Sequence, residues 1–252
     1  MRIVSLVPSI TLLLIDLGLE DSIVGRTKFC TLPIDNVRNI PTIGGTKNVD
    51  IDKIKALKAD FIIANKEENV KEQIEALKIY CKVILFDVRN LDENYKMIAK
   101  ISKLTNTNEK AHDIIKQTQA NFEKLQTHIA PLKALQLNAV YMIWKKPYMT
   151  VGKDTFIHAM LEHLGVKNMF SHQTRYPIIQ QFNTSYFEKC NLVFLSSEPY
   201  PFEEKHIREF QTMLPNTKII LVDGTYFSWY GSKMIDAPKY YQQLAEKISA
   251  VS

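Results

Sequence analysis

Short apolar runs alternate along this chain with stretches in which apolar residues recur at helical spacing. Residues 61–64 (FIIA) and 83–86 (VILF) are apolar runs of four, typical of strands buried on both faces of a parallel sheet. Helical spacing precedes each run, as in Ile51, Ile54 and Leu57 before the first. This alternation predicts strand–helix–strand crossovers and therefore an α/β fold.

The start of the chain and its second half predict further strands and helices. A first strand is expected at residues 3–7, ended by Pro8, and a helix capped by Ser9 or Thr11 is expected to run to Gly18. The alternation restarts in the second half after Pro131. There we expect a strand at 138–143, a helix at 154–164, strands at 192–195 and 219–222, and a closing helix over Tyr241, Leu244 and Ile248.

A long helix is predicted between the two halves, at residues 107–129. It carries an apolar stripe at helical spacing, and no glycine or proline interrupts it before Pro131. At about 1.5 Å per residue such a helix is about 34 Å long, which is enough to bridge two lobes. The alternative is an amphipathic helix packed on one sheet. The bridging interpretation predicts an N-terminal α/β lobe (1–105), a connecting helix (106–131) and a C-terminal α/β lobe (132–252).

The predicted architecture is α/β with two lobes, each containing a mainly parallel sheet flanked by helices. One long rigid helix joins them, and a ligand cleft lies between them. Ligands of open α/β sheets bind beyond the carboxyl ends of the strands, so the residues that follow each strand are the candidate site.

Composition narrows the function classes. The chain has 252 residues, 46% hydrophobic and 23% charged, which is typical of a globular protein. Its net charge of +5 comes from Lys and Arg interspersed with Asp and Glu, so no nucleic-acid partner is expected. The three cysteines are far apart and predict no disulfide framework. No signal peptide is visible, because Arg2 leads directly into the first strand.

Polar and aromatic residues concentrate directly after the aliphatic strands. Aromatic walls suit a broad, flat or apolar ligand better than a phosphate. The candidate ligand-binding residues at these strand ends are Pro8, Ser9, Phe29, Cys30, Gly44, Gly45, Thr46, Asn65, Trp144, Ser197, Glu198, Phe227, Trp229 and Tyr230.

The densest aromatic cluster follows the last predicted strand. Tyr226, Phe227, Trp229 and Tyr230 lie within five positions, with serine and glycine interleaved or adjacent. As a whole the cluster predicts a binding wall. The alternative for individual rings is that they fill the core under the last helix, since buried aromatics contribute strongly to packing.

Enzymatic and metal-site signatures are missing from the sequence. There is no nucleophile elbow, P-loop or dinucleotide fingerprint, and no catalytic residue is assigned. The six histidines do not pair at metal-ligand spacing, so neither a bound metal nor an intrinsic cofactor is expected. Cys30 is a candidate soft ligand, and the alternative is that it is a small filler.

Several motifs resemble the N-terminal lobe of one family. They are residues 4–9 (VSLVPS), 24–27 (VGRT) with Cys30 and Pro33, 44–48 (GGTKN) and 56–64 (ALKADFIIA). They resemble class III solute-binding proteins, the helical-backbone receptors of ABC importers that bind cobalamin, haem and iron siderophores. In the second half, residues 149–157, 175–177, 196–202 and 222–232 resemble a cobalamin-binding-like branch. The resemblance spans essentially the whole chain.

The resemblance implies a monomeric, non-enzymatic receptor that captures a metal chelate and presents it to an importer permease. The chelate is a corrinoid, haem or ferric siderophore, and the metal arrives inside it. The resemblance adds Arg175 to the candidate ligand-binding residues. It also implies docking to the permease through acidic side chains, for which the candidates are Glu68, Glu72, Glu203 and Glu204. The alternative for these four residues is helix-end charge, which the helix dipole favours.

Two competing functions remain open at this point. One is a cytoplasmic binding or chaperone protein for the same ligands, since no export signal is visible. The other is a chelatase-like enzyme, which is disfavoured because no convergent His/Glu pair appears. The protein is expected to be periplasmic or cell-surface if an export signal was removed, and cytoplasmic otherwise.

Overall fold

The computed structural model describes residues 1–182 and 185–249. The chain divides into two units. Unit 1 comprises Met1–Gln117 and Tyr230–Lys233, and unit 2 comprises Thr118–Trp229 and the chain from Met234 onward.

Unit 1 contains a parallel four-stranded sheet with strand order β2-β1-β3-β4. Its elements are β1 (Ile3–Ser5), α1 (Pro8–Asp16), β2 (Ile23–Arg26), α2 (Ile34–Val37), α3 (Ile51–Ala56), β3 (Phe61–Asn65), α4 (Lys71–Lys78), β4 (Lys82–Phe86) and α5 (Leu91–Thr105). All five residues of β3 are buried. The aliphatic runs predicted this element because a strand at the centre of a parallel sheet is covered on both faces.

The start of α1 differs from the prediction. The helix begins at Pro8, with Val7 as its N-cap, so neither Ser9 nor Thr11 caps it. Proline suits the first helical position because it lacks an N–H group that would have no partner there. The Thr11 hydroxyl instead donates to Ser5 Oγ at 2.8 Å, and it lies 3.0 Å from the Val7 carbonyl oxygen.

Helix α5 was not predicted, although the sequence carries its start signal. The Asn90 side chain accepts a hydrogen bond from the Glu93 N–H (2.9 Å), and this is a standard N-cap. An asparagine followed three residues later by glutamate before an apolar stripe is the pattern that would have found it.

Unit 2 contains a second parallel four-stranded sheet, with strand order β11-β10-β5-β8. Its elements from β5 onward are β5 (Asn138–Met142), β6 (Trp144–Lys145), β7 (Tyr148–Met149), α7 (Phe156–Leu164), β8 (Lys167–Asn168), β9 (Ile178–Ile179), β10 (Leu192–Ser196), α8 (Glu204–Met213), β11 (Lys218–Val222), α9 (Thr225–Ser228) and α10 (Ala237–Ser249). The predicted α/β class, with a parallel sheet in each half, is confirmed.

The long helix is present as α6 (Asn108–Ala134), and the division between the units falls inside it. It does not stop at Pro131, which lies within its last turn. Proline removes one backbone hydrogen bond, and this exposed position near the helix end loses little else. The cleft between the lobes stays a prediction.

A small antiparallel sheet, β6-β7-β9, accompanies the parallel sheet of unit 2. Its strands have two residues each, so no alternation of polar and apolar residues could reveal them. The sheet matters for the site because β6 begins with Trp144, two residues after the carboxyl end of β5.

Candidate functional site

The carboxyl edge of the unit 1 sheet carries an exposed phenylalanine beside a glycine turn. Phe29 is 50% exposed, and the Lys28 ammonium lies 5.2 Å from its ring centroid. The Lys28 N–H donates to the Gly44 carbonyl (2.8 Å), which ties this loop to the turn. A methyl group on Gly45 would lie 3.3 Å from the Phe29 ring. The predicted residues Phe29, Gly44 and Gly45 are therefore brought together.

The glycine turn requires its first glycine. Gly44 has φ +99°, and a Cβ atom there would lie 2.4 Å from the Asn48 carbonyl oxygen. The Gly45 N–H closes the turn by donating to that same oxygen at 2.9 Å. Thr46 follows and is half-buried. Any larger residue at position 44 would strain the backbone and clash with the turn.

Asn69 connects this turn to the strand ends, a role that the sequence analysis missed. Its Nδ2 donates to the carbonyl oxygens of Thr46 (3.1 Å) and Leu6 (3.3 Å), and its Oδ1 accepts from the Asn65 N–H (2.9 Å). In the sequence, only its place at the end of the polar run 65–69 could have indicated this role. Asn69 holds the glycine turn against the residues at the ends of β1 and β3.

Asn65 and Cys30 have interior roles, which corrects their assignment to the ligand. Asn65 is buried, and its Oδ1 accepts from the Glu67 N–H at 2.7 Å, which shapes the turn after β3. Cys30 is also buried, with its sulfur 3.0 Å and 3.2 Å from the hydroxyls of Thr11 and Thr27. Burial raises the pKa of the Cys30 thiol, so the group stays protonated and fills space.

Pro8 and Ser9 form the first turn of α1 immediately after β1, and both are buried. The Ser9 hydroxyl has no hydrogen-bond partner within the described part of the chain. The two residues lie at the predicted sheet edge, but they offer little surface.

The carboxyl edge of the unit 2 sheet carries the exposed indole of Trp144. The side chain is 40% exposed, and its ring packs edge-on against Tyr200, with centroids 5.7 Å apart. Tyr200 in turn packs against Phe202 at 4.7 Å. The Trp144 ring is thus exposed to solvent, with Tyr200 packed against it and Phe202 packed against Tyr200. Tyr200 was missed as a site residue, although it lies in the polar and aromatic segment after β10.

The hairpin that bears Trp144 is held in place by Glu209 of α8. The Lys145 ammonium lies 2.5 Å from Glu209 Oε2, and the Tyr148 hydroxyl donates to Glu209 Oε1 at 2.7 Å. Burial, together with its bond to Glu209, raises the pKa of Tyr148 to about 12. The phenol therefore remains a donor at neutral pH, and the hairpin keeps its anchor.

Glu198 is the centre of a second cluster on the unit 2 edge. Its Oε1 accepts hydrogen bonds from the Trp229 indole N–H (3.0 Å) and from the Ser228 hydroxyl. Next to it, the Ser197 hydroxyl accepts from the Gly224 N–H at 2.9 Å. Residues predicted from two separate strand ends therefore meet here. Trp229 is only 8% exposed, so it offers little surface to a ligand. Its main contact is the hydrogen bond to Glu198.

The Glu198 cluster makes stability depend on pH. Burial raises the pKa of the Glu198 carboxyl, although the bonds from Ser228 and Trp229 oppose the shift. Between the ordinary glutamate pKa and this raised value, the folded chain keeps a proton that the unfolded chain has lost. The free energy of unfolding is therefore expected to fall as pH rises through this window.

Glu198→Gln is expected to remove this contribution to the pH dependence. Urea unfolding of both proteins between about pH 4 and pH 7 measures it. Glu188→Gln, at an exposed carboxylate, is the control and should follow the unsubstituted protein. Parallel curves for the unsubstituted protein and Glu198→Gln would contradict the assignment.

Two aromatics of the cluster at 226–230 do not form the predicted wall. Phe227 is 0% exposed, and its ring lies 5.0 Å from Tyr141 and 5.1 Å from Tyr241, so it fills the core of unit 2. Tyr230 is buried and belongs to unit 1, not to the unit that holds Trp229. The Gly231 N–H, next to Tyr230, donates to Asn94 Oδ1 at 2.6 Å.

Arg175 lies in the loop before β9. It has φ +59°, its N–H donates to Asp154 Oδ1 (2.5 Å), and its guanidinium Nε lies 3.6 Å from Asp154 Oδ2. These contacts tie the loop to the segment before α7. Arg175 is exposed, and its assignment to the ligand stays a prediction.

The four acidic docking candidates lie at or near helix starts. Glu68 is half-buried in the loop before α4, and Glu72 is exposed in the first turn of that helix. Glu203 is the N-cap of α8, and Glu204 is its first residue. Lys205 lies 2.6 Å from Glu203 and lowers the pKa of its carboxyl by hydrogen bonding. Glu72 and Glu204 are therefore the better docking candidates.

Within residues 1–182 and 185–249, no three His, Cys, Asp or Glu side chains are grouped so that they could hold a metal ion. Among the same residues, no helix is both long enough and apolar enough to cross a membrane.

Comparison with known proteins identifies relatives over most of the chain. A family model described as "Periplasmic binding protein" matches residues 3–199. The uncharacterized ABC transporter substrate-binding lipoprotein YvrC of Bacillus subtilis (strain 168) is 29% identical over 180 residues, 69% of this chain and 56% of that protein. A vitamin B12-binding protein of Pectobacterium carotovorum subsp. carotovorum (strain PC1) is 19% identical over 253 residues, 100% of this chain and 89% of that protein. The chain thus spans little more than half the length of the B. subtilis relative.

Solved structures share the fold. A possible iron-binding (periplasmic solute-binding) protein from Staphylococcus epidermidis ATCC 12228 superposes with a TM-score of 0.80 and 23% identity, covering 98% of both chains. The periplasmic vitamin B12 binding protein BtuF of Vibrio cholerae has a TM-score of 0.78 and 20% identity, also covering 98% of both.

Proposed function

Because the chain belongs to the periplasmic binding protein family, we propose that it captures a metal chelate and delivers it to an ABC importer. The chelate is a corrinoid, haem or ferric siderophore. One observation carries the proposal: each unit presents an exposed aromatic ring at the carboxyl edge of its own parallel sheet, Phe29 in unit 1 and Trp144 in unit 2. Broad, partly flat ligands bind to such rings, while a few polar groups fix their orientation.

The relatives support the choice of ligand class. Among those matched are proteins named for vitamin B12 binding, and the neighbours in structure include proteins described as haem-binding or possibly iron-binding. The metal is cargo held by its chelator, so the protein itself needs no ligand set. We place the protein outside the cytoplasmic membrane, in the periplasm or at the cell surface.

Absorbance titration tests the proposal. The protein is titrated separately with cyanocobalamin, haemin and a ferric siderophore, and the visible spectrum of each chelate is followed. Saturable binding of one chelate with 1:1 stoichiometry is the expected result. If none of the three chelates binds, or if a bound chelate loses its metal during the titration, the protein is not this kind of receptor.

Permease docking through Glu72 and Glu204 is a separate proposal. Reversing both charges with Glu72→Lys and Glu204→Lys is expected to leave chelate affinity unchanged. It should slow uptake by tenfold or more, because opposite charges steer association of the two proteins. Uptake into vesicles that contain the permease, at low and high salt, measures the effect.

The matched control is the double reversal Glu109→Lys and Glu123→Lys. These residues are exposed on α6, one in each unit, and they make the same change in net charge. Normal uptake by the Glu72/Glu204 variant, or equal slowing by the control, would contradict docking. The acidic residues would then be helix-end charges with no role in docking.

A further inference from the structure

The small antiparallel sheet of unit 2 places three apolar side chains in one row. Trp144 of β6 lies opposite Met149 of β7, and Met149 lies opposite Ile178 of β9. Residues that are directly opposite each other in neighbouring strands point to the same face of a sheet. Trp144, Met149 and Ile178 therefore form a row straight across the sheet. We call these three residues the apolar row.

The opposite face of the small sheet covers the core of unit 2. Lys145, Tyr148 and Ile179 form the cross-strand row on that face. The Tyr148 ring packs edge-on against Phe182 and Phe210, with centroids 5.2 and 5.5 Å apart. Ile179 is 5% exposed and belongs to a buried cluster of unit 2. Because this row packs inward, the apolar row points outward.

The apolar row has surface to offer to a ligand. Ile178 is 56% exposed and Trp144 is 40% exposed, while Met149 between them is half-buried. Antiparallel sheets that cover a core on one face commonly carry polar side chains on the other. Here all three cross-strand neighbours on the outer face are apolar and none is charged. Contiguous exposed apolar side chains mark binding surfaces, whereas scattered single ones do not.

The apolar row also continues the candidate site. Its first member is Trp144, which lies just beyond the carboxyl end of β5 and is supported by the Tyr200 ring at 5.7 Å. A broad ligand that covers the Trp144 indole is therefore in position to cover Met149 and Ile178 as well. The occupant of the row is then the ligand of the candidate site.

The width of the apolar row suits a planar ring. Neighbouring strands lie about 4.8 Å apart, so the row is about 10 Å wide from β6 to β9. A porphyrin is of similar width and is apolar on its faces, so it can contact all three side chains at once. A compact ligand would cover only one of them.

From these observations we propose that the apolar row binds the face of a porphyrin, with the ring lying across β6, β7 and β9. This assignment rests on the proposed function, because Trp144 serves both, and it selects haem among the three chelates. Cyanocobalamin carries an axial group on each side of its ring, and a ferric siderophore encloses its metal in a compact shell. Neither of them offers a flat apolar face. The added contact residues are Met149 and Ile178.

The test compares four probes. Haemin, cyanocobalamin and ferrioxamine B are titrated by absorbance, and metal-free protoporphyrin IX is titrated by its fluorescence. We expect haemin and protoporphyrin IX to bind, because the apolar row contacts the ring and not the metal. Cyanocobalamin and ferrioxamine B should not bind.

Ile178→Gln should weaken the binding of both porphyrins about tenfold, because the bound ring would remove water from an amide that has no new partner there. Ile178→Val, which keeps an apolar side chain, should retain most of the affinity. Ile178 is exposed, so urea unfolding of both variants should be nearly unchanged. The matched control is Ile79→Gln, at a residue that is 78% exposed at the end of α4 in unit 1, and it should bind normally.

Three results would overturn the porphyrin assignment and leave the proposed function standing. They are binding of cyanocobalamin or ferrioxamine B alone, binding of haemin without binding of protoporphyrin IX, and equal porphyrin affinity in Ile178→Gln and the unsubstituted protein. If none of the four probes binds, the proposed function is wrong, and the porphyrin assignment is wrong with it.

Discussion

Phe227→Ala is expected to lower the free energy of unfolding by about 3–5 kcal/mol, the usual cost of removing a buried phenylalanine ring. Phe227 is fully buried in unit 2, where its ring lies 5.0 Å from Tyr141, 5.1 Å from Tyr241 and 6.3 Å from Phe194. Alanine would leave a cavity that these large rings cannot collapse to fill. Equilibrium unfolding in urea measures the change.

Tyr226→Ala is the control from the same short helix. Tyr226 is partly exposed and stacks on Tyr240 at 4.3 Å, so its removal should cost clearly less. Chelate affinity of folded Phe227→Ala should stay within a few fold of the unsubstituted protein. If affinity collapses while stability is retained, Phe227 contacts the ligand, and its assignment to the core is wrong.

Trp144→Ala is expected to change chelate affinity more than stability, the reverse of Phe227→Ala. It should weaken chelate binding by about 2 kcal/mol, or about thirtyfold in dissociation constant, which is typical of an aromatic hot spot. The indole is exposed at the carboxyl edge of β5 and supported by Tyr200, so its removal deletes binding surface but little core packing. Titration with the chelate, together with urea unfolding, separates the two quantities.

Leu135→Ala is the matched control for Trp144→Ala. Leu135 is 51% exposed in unit 2 but follows α6, away from the strand ends, so affinity should not change. Unchanged affinity in Trp144→Ala would remove the indole from the site and, with it, the main support for an aromatic site on unit 2.

The sequence predicted the strands more reliably than the site. Residues 61–64 and 83–86 are strands because their aliphatic side chains suit a sheet covered on both faces, and that preference is local. The four two-residue strands β6, β7, β8 and β9 and the capped helix α5 were not predicted. Two-residue strands are too short to show a period. Helix α5 does carry a start signal in the sequence, the Asn90 N-cap.

For the candidate site, the sequence predicted where residues lie better than whether they are exposed. Phe29, Trp144 and Glu198 follow strands, and a backbone hydrogen bond from Lys28 to Gly44 ties the glycine turn to the loop after β2, so each lies at a sheet edge. Position relative to a strand end was thus a sound guide to location. It was a poor guide to exposure, because Cys30 follows β2 and Asn65 ends β3, yet both are buried.

What the sequence determined by itself was the α/β class, a parallel sheet in each half, and the long helix, because each depends on periodicity within a short stretch. The tertiary structure decided the fate of each ring at 226–230. Phe227 is core because Tyr141 and Tyr241 pack on it, and the Trp229 indole donates to Glu198, 31 residues away in the chain. Gly231 joins unit 1 through Asn94, 137 residues away. Burial and pairing depend on which distant residues arrive at a position, and local pattern carries no information about that.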